Sequence, residues 1–479
     1  MRRMLACLPC CIALSASGQA LLPDSAVALE RRQHDDLLTL SLDECIALGL
    51  RENTAIRSAY LDRIAQRFDL KVAEARMDPQ LAIVLSQLHS RDTRQTATLR
   101  SVAPTMTMLL PTGAQVSLAY TRTTSSEQHG YTALSYQLRQ PLSKGAGTTI
   151  NALPVQNARL LDRIRKLQLL DTVGRTVVAI ASAYRELQRL QWQEQIAEES
   201  LARSRQLLAV NDALIAAGRM APIEMVQTQA DLASLEVARL ELGQQLARAR
   251  TVLANLVGLA RGRSLSASDA LATDVRAVDA QQALLTALDR QAQFQAQLLT
   301  LEMTRNQLLS ARDNLAWDIA LLAGGEFSRS QQGGAFPVAQ TSRGQYLGVQ
   351  LSIPLPDLAA RQAWVQAQVQ LEQSQLQLEL SRRELEQRIT DAVQDVHARW
   401  RQIQLGVNAA ALSRRKLEIE QEKLRAGRSS NFQLLSYQGD LRQADNAVLN
   451  ARIAYLNAVT ELEFQQGSLL DRWQIGMPP

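Results

Sequence analysis

The chain has 479 residues, a formal net charge of +5 and only 4% aromatic residues. That length would hold about three ordinary domains. Leu, Ala, Gln, Arg and Glu dominate long central stretches, however, which is the composition of long helices or coiled coil rather than of several compact cores. Acidic and basic residues are interspersed there, as on solvated helix faces, and no one-sided basic stripe suited to nucleic acid is present.

The first residues read as an export segment. Arg2 and Arg3 precede a short apolar run, 4–14. Ala26-Val27-Ala28 offers a small-x-small cleavage site, with Gly18-Gln19-Ala20 as a second candidate. Removal of residues 1–28 is therefore expected; the run is too short to span a bilayer. Cys7, Cys10 and Cys11 leave with it, without a lipid-attachment motif. Cys45 then stands alone, so stability rests on packing or assembly and not on a disulfide, and a lone Cys on a helix face behaves as a small apolar residue.

From 29 to 40 the chain is polar and extended. A helix is expected over 42–77, opened by Ser41 with Glu44 in a capping box and stopped by Asp78-Pro79. Over 80–141 the period changes. Met106 and Met108 alternate with Thr105 and Thr107; Val116, Leu118 and Tyr120 with Gln115, Ser117 and Thr121; Leu134, Tyr136 and Leu138 with Ser135, Gln137 and Arg139. These are strands of about ten residues with one apolar face, as found in soluble sheets and, in exported proteins, in transmembrane β-barrels. The helical period returns over 154–211, a rod of roughly 85 Å, with Val173, Val177, Ile180, Tyr184 and Leu187 as its apolar stripe. A second helix follows over 222–257, and 259–278 reads as a connection.

The second half repeats this plan. A helix is expected over 279–314, then strand-like segments at 317–328 and 346–353 around a Gly-, Ser- and Gln-rich loop, 329–344. A helix of roughly 100 Å spans 359–425, with Leu371, Leu378 and Leu385 at heptad spacing, and a last helix spans 431–466. The letters repeat as well: Ala217, Gly218, Arg219, Gln229, Asp231 and Leu232 match Ala426, Gly427, Arg428, Gln438, Asp440 and Leu441, and the register holds through to Gly258 and Gly467. Gly218 and Gly427 stand where a helix end takes left-handed backbone, and Pro222 suits the first turn of the next helix. Each copy is the tip of a long helical hairpin. The chain thus divides into a first repeat, 29–258, the connection, a second repeat, 279–467, and a tail, 468–479.

One length differs. The span from Arg76 to Pro141 exceeds the matching span from Arg312 to Pro354 by about two membrane strands and a tight turn. Leu110-Pro111-Thr112-Gly113 would supply the turn. Either an additional hairpin, turning on the helix side, or an enlarged outer loop fills the surplus. So few strands cannot close a barrel, lipid tolerates no open sheet edge, and the helices are too polar to cross a membrane. Several copies pooling their strands would satisfy all three constraints.

Over about 41–470 the chain resembles the TolC-type outer-membrane efflux proteins. The carriers are the Ser41-Leu42-Asp43-Glu44-Cys45-Ile46-Ala47-Leu48-Gly49-Leu50 opening, Gln140-Pro141-Leu142 ahead of the long helix, and the two Ala-Gly-Arg tips. The resemblance implies an α+β membrane protein, a homotrimer in which an outer-membrane β-barrel continues into a long periplasmic α-helical barrel. The family has four strands per protomer; the additional hairpin would make six. The partners implied are outer-membrane lipid, a periplasmic adaptor and an inner-membrane transporter. Gly218, Arg219, Gly427 and Arg428 would form the adaptor-docking tips. Glu224 matches the family's acidic aperture position, whereas Gln433 and Ser436 stand where the second half commonly carries acids. The function implied is a passive exit duct for small molecules in a tripartite efflux system. Type I protein secretion through the same duct, and a soluble periplasmic coiled-coil adaptor, are the alternatives. No catalytic, cofactor or metal constellation is legible: His34, His89, His129 and His397 are scattered, without ligand spacing.

Overall fold

The structure, a computed structural model, describes residues 37–91, 96–125, 130–259, 264–275, 278–332, 338–355, 357–426 and 428–475; the expected export segment and Gly427 lie outside them. Two helices of nearly equal length carry the architecture: α3 (Thr148–Ala216, 69 residues) and α7 (Leu358–Arg425, 68 residues), each roughly 100 Å long. Shorter helices lie along them in sequence-related sets. In the first half these are α1 (Leu42–Glu52), α2 (Thr54–Glu74) and α4 (Ile223–Leu256). In the second they are α5 (Ala280–Arg290), α6 (Ala292–Asp313) and α8 (Asn431–Gln465). The two halves pack together through α3 against α6 and α8. On α7, Ile389, Val396, Ile403, Ala410, Leu417 and Leu424 are buried at seven-residue intervals. A strict repeat of seven runs slightly ahead of the 3.6-residue turn, so it winds the packed helices left-handed.

The helices expected over 42–77 and 279–314 are each broken in two. Asn53 accepts from the Ala55 and Ile56 amides, and its own amide donates to the Leu256 carbonyl at 2.8 Å. Gln291 likewise accepts from Phe294 N at 2.6 Å. Each break receives the end of another helix. Gly258 (φ +74°) lies so close that an added Cβ would sit 2.8 Å from the Glu52 carbonyl oxygen, and at Gly467 (φ +73°) it would sit 2.6 Å from that of Arg290. Only glycine combines that backbone with that approach.

Around these breaks runs a belt. β1 (Leu37–Leu40) pairs in parallel with β6 (Ser264–Ala267), so the expected lead-in and connection form a two-stranded sheet. Leu40, Cys45, Ile46, Val177, Ile180, Tyr184, Leu265 and Leu469 are buried together there. The Tyr184 hydroxyl donates to the Leu40 carbonyl at 3.1 Å and accepts from Asp269 N at 3.2 Å. Burial pushes the Cys45 thiol up to about 12. Beside the belt, Arg185 is buried; its guanidinium donates to Leu456 O, Asn457 Oδ1 and Thr460 Oγ1 at 2.8–3.0 Å, fastening α3 to α8.

At the far end of the long helices lies one antiparallel sheet of six strands in the order β2 (Gln80–Arg91), β3 (Thr96–Leu109), β4 (Gln115–Ser125), β5 (Gly130–Pro141), β7 (Asp318–Gln332) and β8 (Val338–Ser352). Four come from the first half and two from the second. The surplus is a hairpin: β3 and β4 are ladder-paired from Leu99–Ser125 to Leu109–Gln115. Its turn lies on the helix side, where Gly147 N donates to Thr112 O at 3.1 Å just ahead of α3. The expected loop 329–344 is mostly strand, since pairing runs from Asp318–Ser352 out to Gln332–Val338. No described helix is long and apolar enough to cross a membrane.

Candidate channel wall and docking tips

Side chains alternate across a strand, so the register alone sorts the sheet into two faces. Leu81 stands opposite Met106, Met106 opposite Leu118, and Leu118 opposite Tyr136. Leu138 stands opposite Ala323, and Ala323 opposite Leu347. One face therefore carries an unbroken apolar band from β2 to β8, and Leu81, Ile83, Leu85, Leu347 and Val349 on it are 63–76% exposed. The other face presents Thr105, Ser117, Gln137, Glu326 and Gln350. The band ends on two open edges, β2 and β8, neither of which has an outer neighbour among the described residues. Below the β2 edge, α2 exposes Leu61, Ile64, Phe68 and Val72 at helical spacing; below the β8 edge, α7 exposes Val365, Val369, Leu376 and Leu380.

The tips lie at the opposite end of α3 and α7. At the first, Gly218 takes φ +66°, and Arg219 N closes back on Leu214 O at 2.8 Å, a helix end of Schellman type. Arg428 N closes on Lys423 O in the same way at 2.8 Å. Gly218, Arg219 and Arg428 are exposed, and none of the described residues lies within 4 Å of where a Gly218 Cβ would stand. Gln433 and Ser436 are exposed as well, and Glu224 is half-buried with Oε2 unpaired among the described residues. These residues share the tip end but form no common cluster.

A node that sequence reasoning missed joins the two tips. Asn211 on α3, Thr228 on α4 and Asn431 on α8 are 0%, 0% and 1% exposed. Asn211 Nδ2 donates to Thr228 Oγ1 at 2.8 Å and to Asn431 Oδ1 at 3.1 Å. Asn431 Nδ2 donates to Thr228 Oγ1 at 2.8 Å and to Glu224 O at 3.1 Å. Its signal was an Asn inside the buried stripe Leu201, Ser204, Leu207, Asn211, where helix propensity and burial both disfavour it. Beside the second tip, Glu420 accepts from Ser429 Oγ at 2.5 Å and Lys423 Nζ at 3.2 Å; the Ser429 hydrogen bond, then Lys423, holds its carboxyl below the usual range.

No protein-family model and no curated protein matches this sequence. Solved structures do. The outer-membrane channel OprN superposes with a TM-score of 0.68 at 16% identity, covering 89% of this chain and 90% of its own. CusC, described as forming a transmembrane channel, gives 0.68 at 17% identity, over 90% and 92%. The CmeC outer-membrane channel of Campylobacter jejuni gives 0.68 at 12% identity, over 89% and 86%. The chain has the fold of these outer-membrane channels. In that fold the apolar band and the tips mark opposite ends of one long body. Among the described residues no group of three or more His, Cys, Asp or Glu could hold a metal ion.

Proposed function

We propose that the protein is a TolC-type outer-membrane duct, a homotrimer that passively carries small molecules out of the cell as the exit of a tripartite efflux system. The observation that carries this reading is the continuous apolar face across all six strands, exposed in the single chain. A soluble adaptor has no use for such a face. β2 runs away from the helices and β8 runs back toward them, so β8 of one copy meets β2 of the next antiparallel. The exposed stripes of α7 and α2 extend the same seam below. Three copies closed in this way make a wall of eighteen strands, roughly 36 Å across the backbone against about 24 Å for the family's twelve, taking 4.8 Å strand spacing and a tilt near 40°. The polar face then lines the lumen.

The tips, a full helix length from the wall, are the docking ground for a periplasmic adaptor beneath which an inner-membrane transporter delivers cargo. Glu224, Gln433 and Ser436 are the candidates for lining the aperture that the tips would close. A deletion strain tests the function: hypersensitivity to a panel of toxic compounds with secreted proteins unchanged is the expected result, while lost secretion with unchanged resistance would assign the duct to type I secretion. Gly218→Trp tests the tips. Export is abolished while detergent-extracted trimers persist; wild-type export in this variant would refute docking there.

A further inference from the structure

The apolar band has a charged rim at one end only. Arg91 on β2, Arg100 on β3, Arg122 on β4, Arg329 on β7 and Arg343 on β8 all fall on the apolar face, by the same register that places Leu85, Val102 and Phe327 there. All five lie toward the strand ends remote from the helices, and all are exposed. The described strand residues on this face include no acid. The sheet's Asp318 and Glu326 and its remaining Arg139 lie on the other face, with Arg139 paired to Asp318. None of the five is ion-paired among the described residues. The Arg343 guanidinium lies 5.9 Å from the Phe327 ring centre, stretched along the aromatic edge of the band as a long cationic side chain does when it reaches out of an apolar layer.

Their placement is not level with the ladder. Arg343 pairs with Phe327, and Arg329 is two residues further out. Arg329 pairs with Thr132, and Thr132 with Arg122. Arg122 pairs with Val102, with Arg100 two residues further out; Arg100 pairs with Gln87, with Arg91 four further out. Across the sheet this amounts to about 26 Å of drift along the strands over about 24 Å of width, an inclination of roughly 45°. Strands of a closed membrane barrel tilt by about 35–45°, so the diagonal becomes one horizontal ring when the sheet closes.

We propose that this ring is a lipid-binding girdle whose guanidinium groups hold the phosphates of anionic headgroups in the leaflet remote from the helices, a phosphorylated glycolipid being the fitting occupant. Guanidinium pairs with phosphate through two parallel hydrogen bonds, and the aliphatic stems and the band beneath accept the acyl chains. The inference rests on the sheet being a membrane wall, and the experiment separates the two. Full-length trimer is floated on phosphatidylcholine vesicles with and without lipid A, and co-purified lipid A is counted by native mass spectrometry. Wild-type protein floats on both and retains lipid A. The Arg100→Gln, Arg122→Gln, Arg329→Gln, Arg343→Gln combination still floats on phosphatidylcholine but loses lipid A affinity at least about tenfold, a loss that two contributions of roughly fivefold already exceed. Lysine at the same four positions restores only part of it, since it keeps the charge without the second parallel hydrogen bond. Failure of the wild type to float on phosphatidylcholine refutes the membrane wall. Flotation with no lipid A retained, or retention undiminished in the glutamine variant, refutes the girdle. So does equal stabilisation of the trimer by inorganic phosphate alone, which would make the arginines a general anion surface.

Discussion

Asn211 and Glu420 occupy matching positions in the two copies of the helical hairpin, and both are buried, yet they bond in different directions. Asn211 reaches across to Thr228 and to Asn431 of the other hairpin. Glu420 turns into its own tip, to Ser429 and Lys423. The position of Asn431 is held by Pro222 in the first copy, and that of Ser429 by Met220. At this matched position the first hairpin reaches across to its neighbour, whereas the second bonds within its own tip and makes its cross-link from Asn431 instead. The same asymmetry appears in the sheet, where the first half supplies two hairpins and the second one. Duplication set the plan, and divergence gave the first half more of the sheet and the second a carboxylate bonded within its own tip.

The largest expected effect tests whether both halves belong to one wall. Ile83→Arg on β2 and Leu347→Arg on β8 should each cost about 2–4 kcal/mol, the penalty for a cation facing lipid at mid-depth, whereas Gln350→Arg on the opposite face should cost little. Urea unfolding of reconstituted trimers measures this; a harmless Ile83→Arg would place β2 outside the wall. Next, Asn431→Ala should destabilise the tips by about 1–3 kcal/mol, because Asn211 and Thr228 lose buried partners. Faster amide exchange in α4 as well as α8 is the signature of a link between hairpins, and exchange confined to α8 would contradict it.

The helix breaks come third. Asn53→Ala should cost about 1–2 kcal/mol and Gln291→Ala less, since Asn53 also holds the Leu256 carbonyl; equal melting shifts would show the two breaks to be interchangeable. The smallest effect is a pH dependence. The folded carboxyl of Glu420 sits below its ordinary value, so its contribution is present above the normal carboxyl range and is lost as pH falls through the lowered folded value. Acid should loosen the second tip ahead of the first, which carries Asn211 at that position, and Ser429→Ala should remove much of the difference. Tip-by-tip amide exchange against pH reads it directly.

The duplication, the tips and the surplus between Arg76 and Pro141 were legible because they are carried by matching letters and by spacing. β2 was harder to delimit, since Leu81, Ala82, Ile83, Val84 and Leu85 put apolar side chains on both faces and hide the alternation. The outer ends of β7 and β8 read as loop because Ser328, Arg329, Ser330 and Gln331 are polar, while ladder pairing continues beyond the apolar band. The breaks at Asn53 and Gln291 fall within continuous helical patterns and are fixed by Gly258 and Gly467, more than 170 residues away in each case. The strands β1 and β6, four residues each, are too short for any period to show. At the tips, local letters pointed to Gly218 and Arg428, but the contact of Asn211 with Asn431 joins segments 220 positions apart, and nothing local announces it.

The additional hairpin also bears on how the proposed conduit would resist flow. In the trimer proposed above, α3, α4, α7 and α8 would give a ring of twelve helices; at 9–10 Å between neighbours it would measure roughly 36 Å across the helix axes. Eighteen strands close at nearly the same width, whereas twelve would neck the passage to about 24 Å. A cylinder without a step adds no throat at its mouth. Diffusive resistances in series are governed by the narrowest segment, so in the proposed trimer an eighteen-strand wall would leave the tips as the place where escape is limited, whereas a twelve-strand wall would add a second constriction.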